Sequence, residues 1–509
     1  MTLPPVLPRR APAAPDAIRL NPADSVGIAL RALQAGERVL DVALTEPIPL
    51  GHKFALTSLA PGDAVVKYGQ IMAQATQPIA PGQHVHVHNI AMAATHSHQS
   101  DQRGQLPPPP ARRTFQGYLR PDGRVGTRNF IGILASVNCS STVCHAIAQA
   151  ATRVLGPKYP NIDGFAPIVH DQGCGMVNQG EGFDVLVRTL KGYRDHPNFG
   201  GVLIVGLGCE VNQLTLYQPT DWTRERFHSF NIQEVGGSAS AVTRALELLE
   251  PIAAAANADR RSTQPVSALT LGMQCGGSDG FSGITANPAL GVASDLLVAA
   301  GGTSILSETP EIYGAEHLLI ARADPATGAR IAGMIDWWRD YAERNGASLD
   351  NNPSPGNKKG GLTTILEKSL GAVAKAGMAP VAGAFAYAER IAVPGLVYMD
   401  SPGYDPVAAT GQVAAGANLI AFTTGRGSCF GAKPAPSIKL ASNSDLFARM
   451  PEDMDINCGT VVDEGVPLAE MGARIYDLLL DVASGQHTRS EDFGYGDNEF
   501  VPWRIGAVL

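Results

Sequence analysis

Four cysteines follow apolar runs that predict buried β-strands, and one histidine ends the second of these runs. The runs are NFIGILASV, IDGFAPIVH, GVLIVGLG and SALTLGMQ, and the residues after or at their ends are Cys139, Cys174, Cys209, Cys275 and His170. In parallel α/β sheets, ligands bind beyond the carboxyl ends of the strands. We therefore expect these side chains to meet at one edge of a sheet.

A lone cysteine at a strand end is more often an inert small hydrophobic residue than a ligand. The sequence has no CxxC pair, which argues against a structural zinc site. Four cysteines at four strand ends instead favour a thiolate-containing metal or redox site. Thiolates suit iron or an iron–sulfur cluster better than magnesium or calcium, and these residues are compatible with either form of iron.

A run of histidines earlier in the chain forms a second candidate group. His84, His86 and His88 alternate with other residues in HVHVHN, and His52 lies in the segment Gly51-His52-Lys53. In a strand, alternate side chains point to the same face. Three imidazoles on one face predict a metal site or a general base, and a solvated polar face is the alternative.

Candidate anion-binding residues lie in the second half of the chain. Arg426 follows a predicted strand in the segment GRGS, where a guanidinium and backbone N–H groups suit a carboxylate. Lys359 lies in the loop NNPSPGNKKGG, for which an ordinary turn with solvated lysines is the alternative. Glu308 ends a strand and is a candidate site residue, whereas Glu311 is compatible with a simple helix-dipole role.

The surrounding patterns predict three regions and a linker. Short β-like runs with Pro-Gly turns predict a small β domain over residues 1–93, and the polar, proline-rich residues 94–112 predict an extended linker. Apolar runs then alternate with amphipathic stretches, which predicts parallel α/β domains over 113–262 and 263–509. The break near residue 262 is placed at ADRRSTQP.

Charge and hydropathy exclude several classes of protein. The net charge of -8, without clustered Lys and Arg, argues against nucleic acid as a partner. No stretch approaches the roughly 18 apolar residues that a membrane helix needs, and the N-terminus has no apolar signal region. We therefore expect a cytoplasmic protein. Seven cysteines, an odd number spread over a long chain, indicate free thiols or metal ligands and not a disulfide framework.

Several long motifs resemble those of the altronate/galactarate dehydratase family. They include GYLRPDGRVGTRNFIGILASVNCS, QCGGSDGFSGITANPALG, SETPEIYGAEH, NPSPGNKKGGLTTILEKSLG and DMDINCG, and the resemblance extends over nearly the whole chain. HVHVHN resembles the altronate branch, which favours D-altronate as the substrate. Cys429 and Cys458 depart from the altronate pattern and are left out of the expected site.

The resemblance implies a fold and a cofactor. It implies an N-terminal β-clip (SAF-like) domain, a middle dimerising α/β domain and a C-terminal Rossmann-like catalytic domain, in a homodimer. It also implies a requirement for ferrous iron under reducing conditions. The expected metal ligands are the four cysteines of the strand ends, of which only some need bind.

The expected reaction is β-elimination of water from a small anionic sugar acid, which gives a 2-keto-3-deoxy acid. His170 is expected to be the base, and His86 or His88 the acid for the leaving group. Glu308 is a further catalytic candidate, and the substrate-binding candidates are Arg426, His52 and Lys359. The alternatives are galactarate or a related sugar acid as substrate, and a non-catalytic sugar-acid sensor. An NAD-dependent oxidoreductase is disfavoured, because NCSSTVCH follows the first strand where GxGxxG is needed.

Overall fold

A computed structural model describes residues 15–93, 104–219 and 225–506. The first part of the predicted β domain (residues 1–14) and most of the predicted linker (residues 94–103) lie outside the described residues. The described residues form an N-terminal β domain followed by two layered α/β regions.

The N-terminal region is built from short antiparallel strands joined by tight turns. Its strands are β1 (Ala17–Ile18), β2 (Val26–Ala29), β3 (Arg38–Val39), β4 (Val42–Ala43), β5 (Lys53–Ala55), β6 (Ala64–Lys67), β7 (Gln70–Ala75), β8 (His84–Val85) and β9 (Ile90–Ala91). They pair as β1-β2-β5-β8, β6-β7-β9 and β3-β4. Gly82 has φ +83°, and a Cβ there would lie 2.0 Å from the Ala43 carbonyl oxygen, so the turn before β8 requires glycine.

The middle region contains a four-stranded parallel sheet in the order β13-β12-β14-β15. Its strands and helices are β12 (Phe130–Ala135), α1 (Asn138–Val154), β13 (Gly164–Ile168), α2 (Glu181–Arg194), β14 (Phe199–Gly206), β15 (Phe227–Asn231) and α3 (Ser238–Ala258). Strands β12, β13 and β14 are buried almost throughout, as their apolar runs predict.

A small antiparallel sheet joins the middle region to the last one. It contains β10 (Thr114–Leu119), β11 (Val125–Gly126) and β16 (Arg261–Pro265) in the order β11-β10-β16. The segment ADRRSTQP, which we expected only to interrupt the pattern, therefore contributes a strand. Its polar residues are tolerated because β16 is largely exposed.

The C-terminal region is built around a seven-stranded parallel sheet in the order β19-β20-β18-β17-β21-β22-β23. The strands are β17 (Thr270–Cys275), β18 (Thr303–Leu306), β19 (Val381–Phe385), β20 (Gly395–Met399), β21 (Leu419–Thr424), β22 (Ser437–Ala441) and β23 (Ile456–Asn457). The helices are α4 (Ala286–Ala299), α5 (His317–Ile320), α6 (Pro325–Arg344), α7 (Pro355–Lys359), α8 (Ile365–Val373), α9 (Asp405–Ala415), α10 (Ser444–Arg449), α11 (Thr460–Asp463), α12 (Leu468–Ala483) and α13 (Arg489–Asp492).

The two parallel sheets with their helices confirm the predicted α/β fold class. Within the three described ranges, no helix combines the length and the apolar character needed to cross a bilayer.

Candidate functional site

Four histidines of the N-terminal domain form one compact cluster. His52 precedes β5, His84 begins the neighbouring strand β8, and His86 and His88 follow β8. The ring centroids of His52 lie 5.1 Å from His84 and 5.0 Å from His86, and those of His84 lie 5.3 Å from His86 and 5.4 Å from His88. We call these four residues the histidine cluster.

The predicted strand through the whole histidine run is wrong, because β8 ends at Val85. A turn follows, in which the Asn89 side chain accepts a hydrogen bond from the His86 backbone N–H and donates one to the His84 carbonyl. The turn folds His86 and His88 back toward His84. The imidazoles are therefore gathered by an asparagine-bridged turn and not by the alternation of a strand.

The histidine cluster lies against the C-terminal region. His86 Nε2 lies 3.0 Å from the Lys358 carbonyl oxygen and His52 Nε2 lies 3.3 Å from that of Lys359, while His52 Nδ1 lies 3.0 Å from His84 Nε2. Burial lowers the pKa of His84 to about 3 and that of His86 to about 4. These rings are neutral at physiological pH.

A second group of polar side chains is buried at the carboxyl edge of the seven-stranded sheet. Cys275 ends β17, and its Sγ lies 3.8 Å from a Glu308 carboxylate oxygen and 3.7 Å from one of Glu311. Lys375 Nζ lies 2.9 Å from Cys275 Sγ and 3.2 Å from Glu308 Oε2, and Lys368 Nζ lies 2.6 Å from Glu311 Oε1. All five side chains are buried. We call them the buried charge group.

Glu308 stands out within the buried charge group. Its φ of 72° is in the left-handed region, which a residue with a Cβ adopts only when its surroundings enforce it. Its Oε1 is buried and has no hydrogen-bond partner among the described residues. Burial raises the pKa of Glu308 to about 8, so this carboxyl is protonated at neutral pH.

Asp405 completes the acidic side of this edge. Burial raises its pKa to about 7, with the neighbouring Glu311 carboxylate acting in the same direction. Gly276 permits its approach, because a Cβ at that position would lie 2.3 Å from Asp405 Oδ2. Three acidic side chains, Glu308, Glu311 and Asp405, thus lie at the carboxyl edge of β17. Glycine is needed at position 276 because a larger residue would collide with Asp405.

A single segment contacts both groups. The segment 351–361 provides the Lys358 and Lys359 carbonyls that face the histidine cluster, and its Asn352 side chain donates a hydrogen bond of 2.8 Å to Glu311 Oε1. Gly280, which lies after β17, donates its backbone N–H to the Gly360 carbonyl. The histidine cluster and the buried charge group therefore flank one junction between the N-terminal domain and the seven-stranded sheet.

The predicted anion-binding residues lie at this same junction. Arg426 follows β21, the strand next to β17, and its Cβ is 3.3 Å from the position of a Cβ built on Gly277. Its side chain is exposed, as is that of Lys359 at the end of α7. Both positions are compatible with an anionic substrate entering from solvent.

A buried ion-pair group fixes the N-terminal domain onto this edge. Glu367 of α8 accepts hydrogen bonds from Lys53 at 2.9 Å and from Lys67 at 2.7 Å, and all three side chains are buried. Burial lowers the pKa of Lys53 to about 8, although Glu367 opposes that shift. Lys53 follows His52 directly, so this group also positions the histidine cluster.

We expect Glu367→Ala to destabilise the protein by about 3–5 kcal/mol, because it leaves two buried lysines without their carboxylate. Urea unfolding followed by fluorescence measures the change. Glu452→Ala, at an exposed position, is the matched control and should leave the unfolding midpoint unchanged. Equal midpoints for both variants would show that the ion-pair group does not hold the domains together.

The predicted thiolate site is split between two sheets. Cys139, Cys174 and Cys209 follow β12, β13 and β14 of the four-stranded sheet, whereas Cys275 ends β17 of the seven-stranded sheet. The expectation that all four share one sheet edge is therefore wrong. Strand–helix alternation does not mark where one parallel sheet ends and the next begins, and both sheets follow the same pattern.

His170, the expected base, also lies on the four-stranded sheet. Its side chain is buried, its Nδ1 accepts a hydrogen bond from the Gln172 backbone N–H, and burial lowers its pKa to about 4. The structure thus places His170 with the three cysteines and not on the sheet of Glu308. Its role as the base stays a prediction.

Sequence reasoning missed Glu311, Lys368, Lys375 and Asp405 as site residues. A usable signal was present for the lysines, since Lys368 and Lys375, together with Glu367, interrupt the otherwise largely apolar run ILEKSLGAVAKAG. Charged residues are rarely buried unless they are paired. A helix with such residues on an apolar background therefore indicates buried ion pairs.

Three family models match consecutive parts of the chain. Residues 15–93 match the altronate/galactarate dehydratase SAF domain, 117–257 the D-galactarate dehydratase/altronate hydrolase second domain, and 266–508 the D-galactarate/altronate dehydratase C-terminal domain. The first match confirms the predicted SAF-like domain at the N-terminus.

Curated relatives cover almost the whole chain. An altronate dehydratase of Bacillus subtilis (strain 168) is 36% identical over 97% of this chain and 99% of its own length. An altronate dehydratase of Escherichia coli (strain K12) is 36% identical over 97% and 99%, and an L-threo-forming galactarate dehydratase of the same strain is 38% identical over 94% of each chain. With these matches along its length, the chain belongs to the altronate/galactarate dehydratase family.

Proposed function

We propose that this protein is a hydro-lyase that removes water from a sugar acid, with D-altronate as substrate and 2-keto-3-deoxy-D-gluconate as product. The observation that carries the proposal is the buried, protonated Glu308 carboxyl at the junction that also holds neutral histidines. Neighbouring groups whose environments push their pKa values apart are typical of acid–base catalysis. The names of the relatives support the substrate class.

Glu308 is the acid in this proposal. Elimination of water needs a proton for the departing C3 hydroxyl, and a carboxyl that is still protonated at neutral pH is suited to donate it. The unpartnered Oε1 of Glu308 leaves one oxygen available for a substrate hydroxyl. Lys375 lies against Oε2 and stabilises the carboxylate that forms after the proton has left.

The histidine cluster fits ferrous iron better than the buried charge group does. With Nε2–H of His86 directed at the Lys358 carbonyl, that ring leaves Nδ1 as a lone pair, which is the usual arrangement of metal-binding histidines. His52 Nδ1 lies 3.0 Å from His84 Nε2 and would leave that contact to bind a metal. Cys275, Glu308 and Glu311 are within 4.8 Å of one another, but ammonium groups already lie against them. We therefore assign iron to the histidine cluster, where the ring nitrogens of His52, His84 and His86 do not lie within 4.8 Å of one another as a set and would draw together around the ion.

When bound there, iron would act as a Lewis acid on the substrate's carboxylate and hydroxyl oxygens. His88, the exposed member of the cluster, is placed to take the C2 proton as an imidazole base. Arg426 holds the carboxylate by charge-assisted hydrogen bonds. This proposal keeps Arg426 in its predicted role and gives His88 the role of base that was predicted for His170. It moves the acid from His86 or His88 to Glu308, because burial keeps the His86 ring neutral.

The pKa values predict the pH profile. Turnover requires protonated Glu308, so kcat should fall as pH rises through about 8, where this carboxyl ionises. A profile of kcat against pH measures this alkaline limb. The limb should vanish in Glu308→Gln, whose amide does not ionise, and a wild-type rate that keeps rising above pH 8 would contradict Glu308 as the acid.

The substrate assignment is tested by anaerobic turnover with added ferrous iron on D-altronate and galactarate in parallel, followed by the 2-keto-3-deoxy acid formed. A higher kcat/KM on D-altronate is expected. A preference for galactarate would keep the reaction and replace the substrate. Turnover of neither compound would contradict the proposal.

Assembly and location are part of the same proposal. We infer a homodimer in the cytoplasm, with dimerisation through the middle region as the family resemblance implies. Light scattering on the purified protein should give twice the chain mass of 53.3 kDa. A mass equal to one chain would contradict the dimer.

A further inference from the structure

Three exposed cysteines lie at one edge of the middle sheet, away from the strand that carries Cys275. Cys139 is in the first turn of α1 after β12, Cys174 is in the loop after β13, and Cys209 comes shortly after β14. These strands are adjacent in the order β13-β12-β14, and all run parallel. Adjacent strands are about 4.8 Å apart, so their carboxyl ends bring the three loops together.

Backbone hydrogen bonds lock these loops to one another. The Asn138 N–H donates to the Gln172 carbonyl at 3.0 Å, which joins the start of α1 to the loop of Cys174. The Val211 N–H donates to the Cys174 carbonyl at 3.0 Å, which joins that loop to the one containing Cys209. The three cysteines are therefore held by a connected backbone framework.

Buried Glu210 stiffens the third loop. Its carboxylate accepts hydrogen bonds from the Leu207 and Gly208 backbone N–H groups and from the Ser136 hydroxyl, which lies just after β12. These hydrogen bonds hold the backbone on both sides of Cys209, which lies between Gly208 and Glu210. The framework thus resembles a built site more than three unrelated surface thiols.

The three sulfur atoms are too far apart as a set to share a single ion. Among the described residues, the only set of three His, Cys, Asp or Glu ligand atoms that all lie within 4.8 Å is that of Cys275, Glu308 and Glu311. At least one pair of sulfurs in the three-cysteine group is therefore more than 4.8 Å apart. A single tetrahedral zinc ion with Zn–S bonds of about 2.3 Å needs sulfurs about 3.8 Å apart.

The surroundings leave room for such a group. A Cβ on Gly173 or Gly175, on either side of Cys174, would meet no heavy atom within 4 Å. Gln233 Nε2 donates to Cys209 Sγ at 3.6 Å. Hydrogen bonds to cysteine sulfur are one means by which proteins adjust the reduction potential of iron–sulfur clusters.

We propose that Cys139, Cys174 and Cys209 bind an iron–sulfur cluster of the four-iron, four-sulfide type, each thiolate on a different iron. The fourth iron receives no ligand from these three residues. This centre is distinct from the iron assigned to the histidine cluster, and the argument for it does not depend on the proposed reaction.

The test is anaerobic reconstitution of the full-length protein with ferrous iron, sulfide and a thiol reductant. We expect about four acid-labile sulfides per chain and the broad visible absorption of sulfide-to-iron charge transfer. Cys139→Ser, Cys174→Ser and Cys209→Ser should each lose most of the sulfide. The control Cys429→Ser changes another exposed cysteine and should keep it.

A measurement on the unmutated chain removes the question of misfolded variants. In the reconstituted protein, Cys139, Cys174 and Cys209 should be protected from alkylation, whereas Cys429 should react, as read by peptide mass spectrometry. Wild-type protein with no acid-labile sulfide, or with iron bound to the three thiols without sulfide, would overturn the proposal. Glu308→Gln should keep the cluster, so a failure of the dehydratase assignment is distinguishable from a failure of this one.

Discussion

Replacing Glu308 with glutamine should lower kcat on the sugar acid by about 10²–10⁴-fold, the contribution typical of a general acid. The amide keeps the size of the side chain but has no proton to donate to the departing hydroxyl. Binding of the substrate should change little, since the carboxylate is held by Arg426 in our proposal. Steady-state kinetics under anaerobic conditions with ferrous iron measure both quantities.

Glu316→Gln is the matched control for this variant. Glu316 lies in the same segment, and burial raises the pKa of its carboxyl too, but it is outside the buried charge group. Its substitution should leave kcat within a few-fold of wild type. Equal losses in the two variants would point to a structural effect, and an active Glu308→Gln protein would remove Glu308 as the acid.

Replacing His86 with alanine should abolish iron binding at the histidine cluster and, with it, turnover. The expected loss of affinity exceeds the 10–100-fold typical of partners that only orient a ligand, because a coordinating nitrogen itself is removed. The proposed cluster contributes equal amounts of iron and acid-labile sulfide. The iron content in excess of the sulfide content therefore measures occupancy of the histidine cluster. Treatment of the wild type with a chelator should reproduce the loss of activity, and ferrous iron should reverse it.

His487→Ala, which removes an exposed histidine elsewhere, should change neither iron content nor kcat. The variant His88→Asn tests the proposed base without changing the proposed iron ligands. It should keep the iron of the histidine cluster and lose turnover. An active His86→Ala protein that has lost this iron would contradict the assignment of the metal to the cluster.

The fold was predictable because the patterns that specify it are local. Apolar runs such as GVLIVGLG become strands that are buried on both faces, and Pro-Gly pairs mark the turns of the N-terminal domain. Assignment of strands to sheets was not predictable in the same way. It depends on long-range pairing, such as that of β10 with β16, and the sequence of neither strand indicates which strand it pairs with.

The site was predictable in part for the same reason. Glu308 and Cys275 were identified because each ends a strand of one sheet, and the structure brings them within contact. The lysine partners come from α8 and the short turn after it, which approach Glu308 only through tertiary packing. The histidines were found by their spacing, although the turn after Val85 and not a strand gathers them.

Hydrogen–deuterium exchange on Glu308→Gln, with and without bound D-altronate, tests the location of the active site most directly. We expect the sugar acid to protect peptides covering residues 84–90, 275–280 and 351–361, which flank the junction. Protection confined to residues 136–141 and 170–175, at the edge that carries His170 and the three cysteines, would contradict it and place the dehydration on the middle sheet.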